Sequence, residues 1–228
     1  MVESSDSRGR GRPKTIDRDR VIDVAMDCWW REGTDAVSLN ELCRRAGVSK
    51  PAVYREFGGE DGLMEATLER YAETVLAPML ERTTDDAPFA DVLTEMIDIM
   101  VDLDRDMPAG CLLAKMRVLS SQLGPATETR ANSLRSASRT LYLDWVERAK
   151  ARGEVTADVP SEVAAAFIDS QFTALLIQVA QGEDPDMLRA QAELSFAGLT
   201  SGADATVKSR ARSLRTHSDT AHRRTSSG

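Results

Sequence analysis

The stretch from residue 16 to residue 57 constrains the fold most. Apolar residues recur there at three- and four-residue spacing in three short runs, each followed closely by glycine. The first covers about residues 16–32, with Val21, Ala25, Cys28 and Trp29 on one stripe and Gly33 at the stop. Ser38-Leu39-Asn40-Glu41 is a capping box, whose hydroxyl and carboxyl satisfy the orphan amides that open a helix. That second helix runs through Ala46, with Leu39, Leu42, Cys43 and Ala46 inward, and Gly47 can take the left-handed conformation that ends it. Ser49 then caps a third, residues 50–57, where Pro51 falls harmlessly in the first turn. A helix followed by two short helices across a glycine turn is the helix-turn-helix arrangement, in which the second short helix enters the DNA major groove. With Val53 and Phe57 turned inward, Ser49, Lys50, Ala52, Tyr54 and Arg55 are left to face phosphates and base edges.

Helical periodicity continues beyond Gly58-Gly59 without any alternating strand pattern or internal repeat, so the expected fold is all-α, with about nine helices. A low aromatic content of 5% agrees with that expectation. A long amphipathic helix is expected over residues 60–77, ending near Pro78 and able to link two domains. Others follow at about 89–105, 110–121 and 125–152, and two more begin near Pro160 and at Asp184-Pro185. The expected organisation is a basic arm (1–15), a helix-turn-helix DNA-binding domain (16–59), a larger helical ligand-binding and dimerisation domain (60–200) and a basic tail (201–228). Neither end holds enough large apolar residues to order itself.

Charge follows the same division. Residues 1–55 hold 11 Lys+Arg against 9 Asp+Glu and residues 201–228 hold 6 against 2, which leaves 12 against 26 between them. The net charge of −8 therefore conceals basic ends on an acidic body, a distribution that lets one end approach a polyanion.

Residues 21–63, VIDVAMDCWWREGTDAVSLNELCRRAGVSKPAVYREFGGEDGL, resemble the DNA-binding domain of TetR/AcrR regulators, with Gly33, Ser38, Ala46-Gly47-Val48-Ser49, Tyr54 and Phe57 in place. The resemblance implies phosphate contacts from Ser38 and Tyr54, and base or backbone contacts from Lys50, Ala52 and Arg55. Trp29 stands where the family usually has Phe, and Gly58-Gly59-Glu60 lacks the Lys common after the aromatic residue, so one phosphate contact is expected to be missing. The resemblance is strong over about residues 14–75 and weak beyond. Arg8-Gly9-Arg10-Gly11-Arg12-Pro13-Lys14 resembles an AT-hook, which lies in narrow A·T-rich minor groove. Arg10, Arg12 and Lys14 either make such contacts or belong to a basic leader with non-specific phosphate attraction.

The helix beginning near Ser161 is apolar nearly all round, and a helix with no polar face needs a second partner. In the family the last two helices pair with their two-fold mates. A homodimer through Phe167, Ile168, Phe172, Leu175, Leu176, Val179 and Leu194 is therefore expected. It would read a palindromic operator in double-stranded DNA with half-sites roughly 34 Å apart; the alternative is the central helix of a monomer. Met96, Met100, Met116, Tyr142, Trp145 and Phe172 either line a pocket for an unidentified small-molecule inducer or form plain core. Cys111 follows Gly110 at an expected helix start with Lys115 one turn on, a setting that favours thiolate. Its Gly-Cys-Leu-Leu context is similar to TetR-like regulators in which that cysteine answers electrophiles or oxidants; otherwise it is a small buried hydrophobe.

Enzymatic function is not expected. The only histidines are His217 and His222, and no metal-ligand spacing, phosphate loop or nucleophile motif is present, so neither cofactor nor metal is anticipated. Three cysteines without paired spacing and no signal peptide fit a cytoplasmic protein. Residues 163–180 carry Asp169, Gln171 and Gln178, which makes them a poor membrane span. The reading is a sequence-specific DNA-binding regulator, a repressor released by a small molecule or thiol modification. An architectural protein that coats DNA regardless of sequence is the alternative, and activation instead of repression depends on operator position.

Overall fold

The computed structural model describes residues 16–102, 107–118 and 123–200. Arg10, Arg12, Lys14 and the tail with His217 and His222 lie outside the described residues. Within them no strand forms; a single antiparallel bridge joins Val155 and Thr200.

Helix α1 (Arg18–Glu32) starts on Asp17, whose carboxylate accepts from Arg20 N at 3.1 Å, and closes at Gly33. Helices α2 (Leu39–Ala46) and α3 (Lys50–Phe57) follow, separated by Gly47 at φ +70° and ended by Gly58 at φ +78°, conformations that cost little only without a Cβ. Helix α4 (Glu60–Tyr71) lies so close to α3 that a Cβ at Gly62 would stand 1.8 Å from Phe57 O.

The long helix does not end at Pro78. It passes through one π-helical turn (Ala72–Leu76) into α5 (Ala77–Glu81) and a 3₁₀ turn (Arg82–Thr84). The Ala77 amide reaches back five residues to Ala72 O, and this wider turn makes room for a proline ring that would otherwise strike the carbonyl four residues before it. Then come α6 (Phe89–Val101), α7 (Leu112–Val118), α8 (Pro125–Ala151), α9 (Ser161–Ala180) and α10 (Pro185–Phe196). With the 60–84 rod taken as one helix, nine helices stand among the described residues.

Helix α9 is packed by α6, α7, α8 and α10. Phe89 stacks on Trp145 at 4.3 Å, and Phe172 joins Tyr142 to Phe196. Leu63 and Leu68 of α4 are fully buried, each worth about 2 kcal/mol of apolar transfer. Against the expectation above, α9 is long and apolar enough to cross a membrane by length and composition, at a mean hydropathy of 1.5. In this fold it is tied in through Asp169, which takes a hydrogen bond from Arg139 at 3.2 Å.

Candidate nucleic-acid interface

The face of α3 is built from three local features. Ser38 caps α2, accepting from Glu41 N at 3.3 Å, but the return half of the capping box does not form among the described residues. Glu41 instead binds Arg44 at 2.6 Å and Arg45 at 2.7 Å, because two guanidinium groups one turn on outcompete one backbone amide. These hydrogen bonds push the Glu41 carboxyl down to about 2, so α2 spends its acidic charge internally. Ser49 stands at the N-cap position of α3 with extended backbone, yet its hydroxyl makes no capping bond. Pro51 has no N–H and the Ala52 amide donates to Ser49 O at 2.9 Å, so at this end of α3 it is the Ser49 hydroxyl that remains open to an anion such as a phosphate.

Ser38, Ser49, Lys50, Tyr54 and Arg55 are all exposed and Ala52 is half-buried, while Val53 is wholly inside. Tyr54, at 52% exposure, is a large aromatic side chain turned to solvent. Its ring rests against Gly59, where a Cβ would meet it at 3.5 Å, and Lys50 Nζ lies 6.0 Å from its centroid. Lys50 and Arg55 make no ion pair among the described residues, so their charge is available. Phe57 is half-buried under Arg18, whose guanidinium lies 5.4 Å from the ring.

Two latches join these helices to the rest of the chain. Trp30, missed in the sequence because it lies beside the expected stripe residue Trp29, donates its indole N–H to Gly110 O at 2.9 Å and stacks edge-on with Tyr71 at 4.9 Å. Its own carbonyl accepts from Lys115 Nζ. Asp61, equally silent in the sequence, accepts from Ala126 N and Thr127 N at 3.0 Å and from the Thr127 hydroxyl at 2.6 Å. It therefore caps α8 from another helix, since Gly124 at the N-cap has no side chain to do so. Burial would raise the Asp61 carboxyl; the hydrogen bonds from Thr127 and Ala126 outweigh it and hold the group below its usual range.

Cys111 sits just before α7, whose first residue is Leu112 instead of the expected Gly110. Its sulfur accepts from Ala114 N at 3.4 Å and lies within hydrogen-bonding reach of the Tyr71 hydroxyl. The Tyr71 hydroxyl is pushed well up by burial, with the Cys111 side chain adding to the rise. Burial also lowers the Lys115 ammonium, against an opposing contribution from Cys111. A surface recess of about 310 Å³ between Gly33, Lys115 and Ala180 reaches Cys111 from outside.

Of the pocket candidates, Met96, Met100, Met116 and Trp145 are fully buried in the core. Tyr142 and Phe172 line a cavity, together with Asp169 and Arg135. A lone carboxylate inside an apolar helix was the available signal for that site. Of the pairing candidates, Ile168, Phe172 and Leu175 are buried inside the subunit, because their stripe of α9 faces α8 and α10. Phe167, Leu176 and Val179 are half-buried and Leu194 is 66% exposed. The outward stripe of α9 runs instead through Val163, Phe167, Ala174 and Ile177, beside Met187 and Leu194 of α10.

Residues 21–67 match the family model of bacterial regulatory proteins of the tetR family. The chain is 30% identical over 190 residues to the HTH-type transcriptional repressor ComR of Escherichia coli, covering 79% of this chain and 88% of that protein. It is 25% identical over 178 residues to the HTH-type transcriptional repressor Rv1474c of Mycobacterium tuberculosis, at 78% and 89% coverage. Among solved structures, a cysteine variant of the TetR family transcriptional regulator CifR complexed with 26-base-pair operator DNA superposes with a TM-score of 0.67 at 25% identity, over 81% of this chain and 97% of that one. Reduced NemR of E. coli, 15% identical, shares the fold at a TM-score of 0.70, over 81% and 97%.

Proposed function

The chain belongs to the TetR family of bacterial regulatory proteins, and on that premise we propose that it is a sequence-specific DNA-binding transcriptional repressor. It acts as a cytoplasmic homodimer on palindromic operator DNA and is released by a small molecule or by modification of Cys111. The observation that carries this reading is the face of α3, where a Ser49 hydroxyl without a capping bond, an outward Tyr54, and Lys50 and Arg55 without ion pairs among the described residues stand together. Ser49 and Tyr54 with Ser38 hold phosphates, and Lys50, Ala52 and Arg55 meet the groove. Residues 16–59 form the reading domain, and residues 60–200 the ligand and dimer domain.

Dimerisation uses the outward stripe of α9 and α10, in which Val163, Met187 and Leu194 are each at least half exposed. Exposed apolar residues of this kind mark an interaction surface, and a two-fold pairing of α9 and α10 sets the two α3 helices a fixed distance apart. Release follows from the latches. An electrophile that adds to the Cys111 sulfur, reached through the recess beside Lys115, crowds the contact between Gly110, Trp30 and Tyr71 and so tilts α1 with its reading helices.

Footprinting on the intergenic DNA upstream of the gene tests the reading. A short protected palindrome is expected, with affinity weakened roughly 10- to 100-fold by combined Lys50→Ala and Tyr54→Ala substitution. Uniform coating of the DNA, equal for both proteins, would overturn it in favour of an architectural role.

A further inference from the structure

The cavity between the rod, α8 and α9 holds polar groups that DNA reading does not use. It measures about 50 Å³, room for roughly four to six non-hydrogen atoms. Leu76, Met79 and Phe172 form its apolar side, and Arg135, Tyr142 and Asp169 its polar side.

Three observations describe the chemistry of the cavity wall. Tyr142 is only 4% exposed, yet its hydroxyl has no hydrogen-bond partner among the described residues. Burial, with the charge of Asp169 adding, holds that hydroxyl protonated and therefore a donor. Arg135, 36% exposed as a side chain, has its Nε atom buried without a hydrogen bond; it pairs with Asp169 Oδ2 at 3.7 Å, an ion-pair distance too long for a hydrogen bond. Arg139 Nε already bonds the same oxygen at 3.2 Å, so Asp169 has its counter-charge and that of Arg135 is in excess. The polar side thus offers donors and net positive charge. A cationic ligand would bring a third positive charge to one carboxylate, and a neutral apolar one would leave both donors unsatisfied.

We propose that this cavity binds a short-chain monocarboxylate, its carboxylate accepting from Arg135 Nε and the Tyr142 hydroxyl and its alkyl end lying against Leu76, Met79 and Phe172. The proposal deepens the reading of the chain as a ligand-released repressor and rests on it for its regulatory meaning. Leu76 closes the π-helical turn and Met79 follows it on the same rod that carries Tyr71 and Asp61 towards the reading helices. An occupant there presses on the irregular turn of that rod, where one backbone pattern gives way to another.

Isothermal titration calorimetry of the full-length protein with sodium propionate and butyrate, against propionamide and butyramide, tests binding apart from DNA. Both acids are expected to bind, with the amides at least about tenfold weaker because they lack the charge-assisted bond. Arg135→Gln should bring the acids down to the amide level, and Tyr142→Phe should weaken them several-fold. Acids and amides binding alike, no binding of either, or full acid affinity in Arg135→Gln would overturn the proposal. Operator footprinting of the same wild-type preparation separates the two readings. A footprint without acid binding removes only the carboxylate site, and acid binding without a footprint keeps the site while removing the repressor.

Discussion

Helices α1 and α2 on one side and α6 and α8 on the other solve the same problem, the unsatisfied amides at a helix start, in opposite ways. Helices α1 and α2 are capped by the residue immediately before them, Asp17 and Ser38. Helices α6 and α8 are preceded by Pro88 and Gly124, which have no capping group, and borrow one from far along the chain. Glu154 accepts from Phe89 N at 2.8 Å, and Asp61 accepts from Ala126 N and Thr127 N at 3.0 Å. Local capping lets α1 and α2 start on their own sequence, whereas borrowed capping ties the starts of α6 and α8 to residues far along the chain. Because the α8 cap comes from α4, which packs on α1 and α3, the Asp61 side chain joins α8 directly to the element that carries the reading helices.

The seam between the two regions should be the most fragile point. Gly62→Ala puts a methyl where Phe57 O stands 1.8 Å away, and neither backbone can yield without moving α3 off α4. A loss of about 3 kcal/mol or more is expected in urea denaturation at neutral pH. Gly153→Ala, also at a glycine but with no atom within 4 Å of the new Cβ, should cost about 1 kcal/mol for its φ of +73° alone. Equal losses at both positions would mean that the seam is not tightly packed.

The same division explains what was legible in the sequence. Periodicity, Gly47 and Ser38 act within a turn of themselves, so α1 to α3 and the exposed set around Tyr54 could be read directly. Ser49 resembles a cap in sequence, but whether its hydroxyl turns to the backbone or to solvent depends on neighbours that no local pattern records. Pro78 reads as a helix stop, and only a π-helical turn, which has no sequence signature, carries the helix past it. Helix α9 is apolar on every side, so periodicity could not tell Ile168 and Leu175, which face α8 and α10, from Val163 and Ala174, which face outward. Asp61 and Trp30 act across 65 and 80 residues of chain, beyond any local rule.

Asp61→Asn tests the borrowed cap itself. The variant keeps the shape but loses the charge and one acceptor, so two α8 amides and the Thr127 hydroxyl compete for a single oxygen. About 2 kcal/mol of stability should be lost at pH 7. The carboxyl is held below its usual range in the folded chain, so its contribution is complete above the unfolded value of about 3.9 and is lost as pH falls through the lower folded value. The gap between wild type and variant should therefore be constant above that pH and close in strong acid. A gap that widened on acidification would mean that Asp61 is protonated in the fold and that the cap is neutral.

The smallest effect separates two serines that look alike in sequence. Ser38 accepts from Glu41 N, so Ser38→Ala should cost about 1 kcal/mol of folding stability. Ser49 makes no such bond, so Ser49→Ala should leave stability within about 0.5 kcal/mol. If the open end of α3 holds a phosphate, Ser49→Ala should nevertheless weaken operator binding roughly five- to tenfold, through a lost hydrogen bond of about 1 kcal/mol. Stability and affinity then move at different serines. A Ser49→Ala protein that is clearly destabilised and binds DNA as before would make Ser49 an ordinary cap and move the anion contact elsewhere on α3.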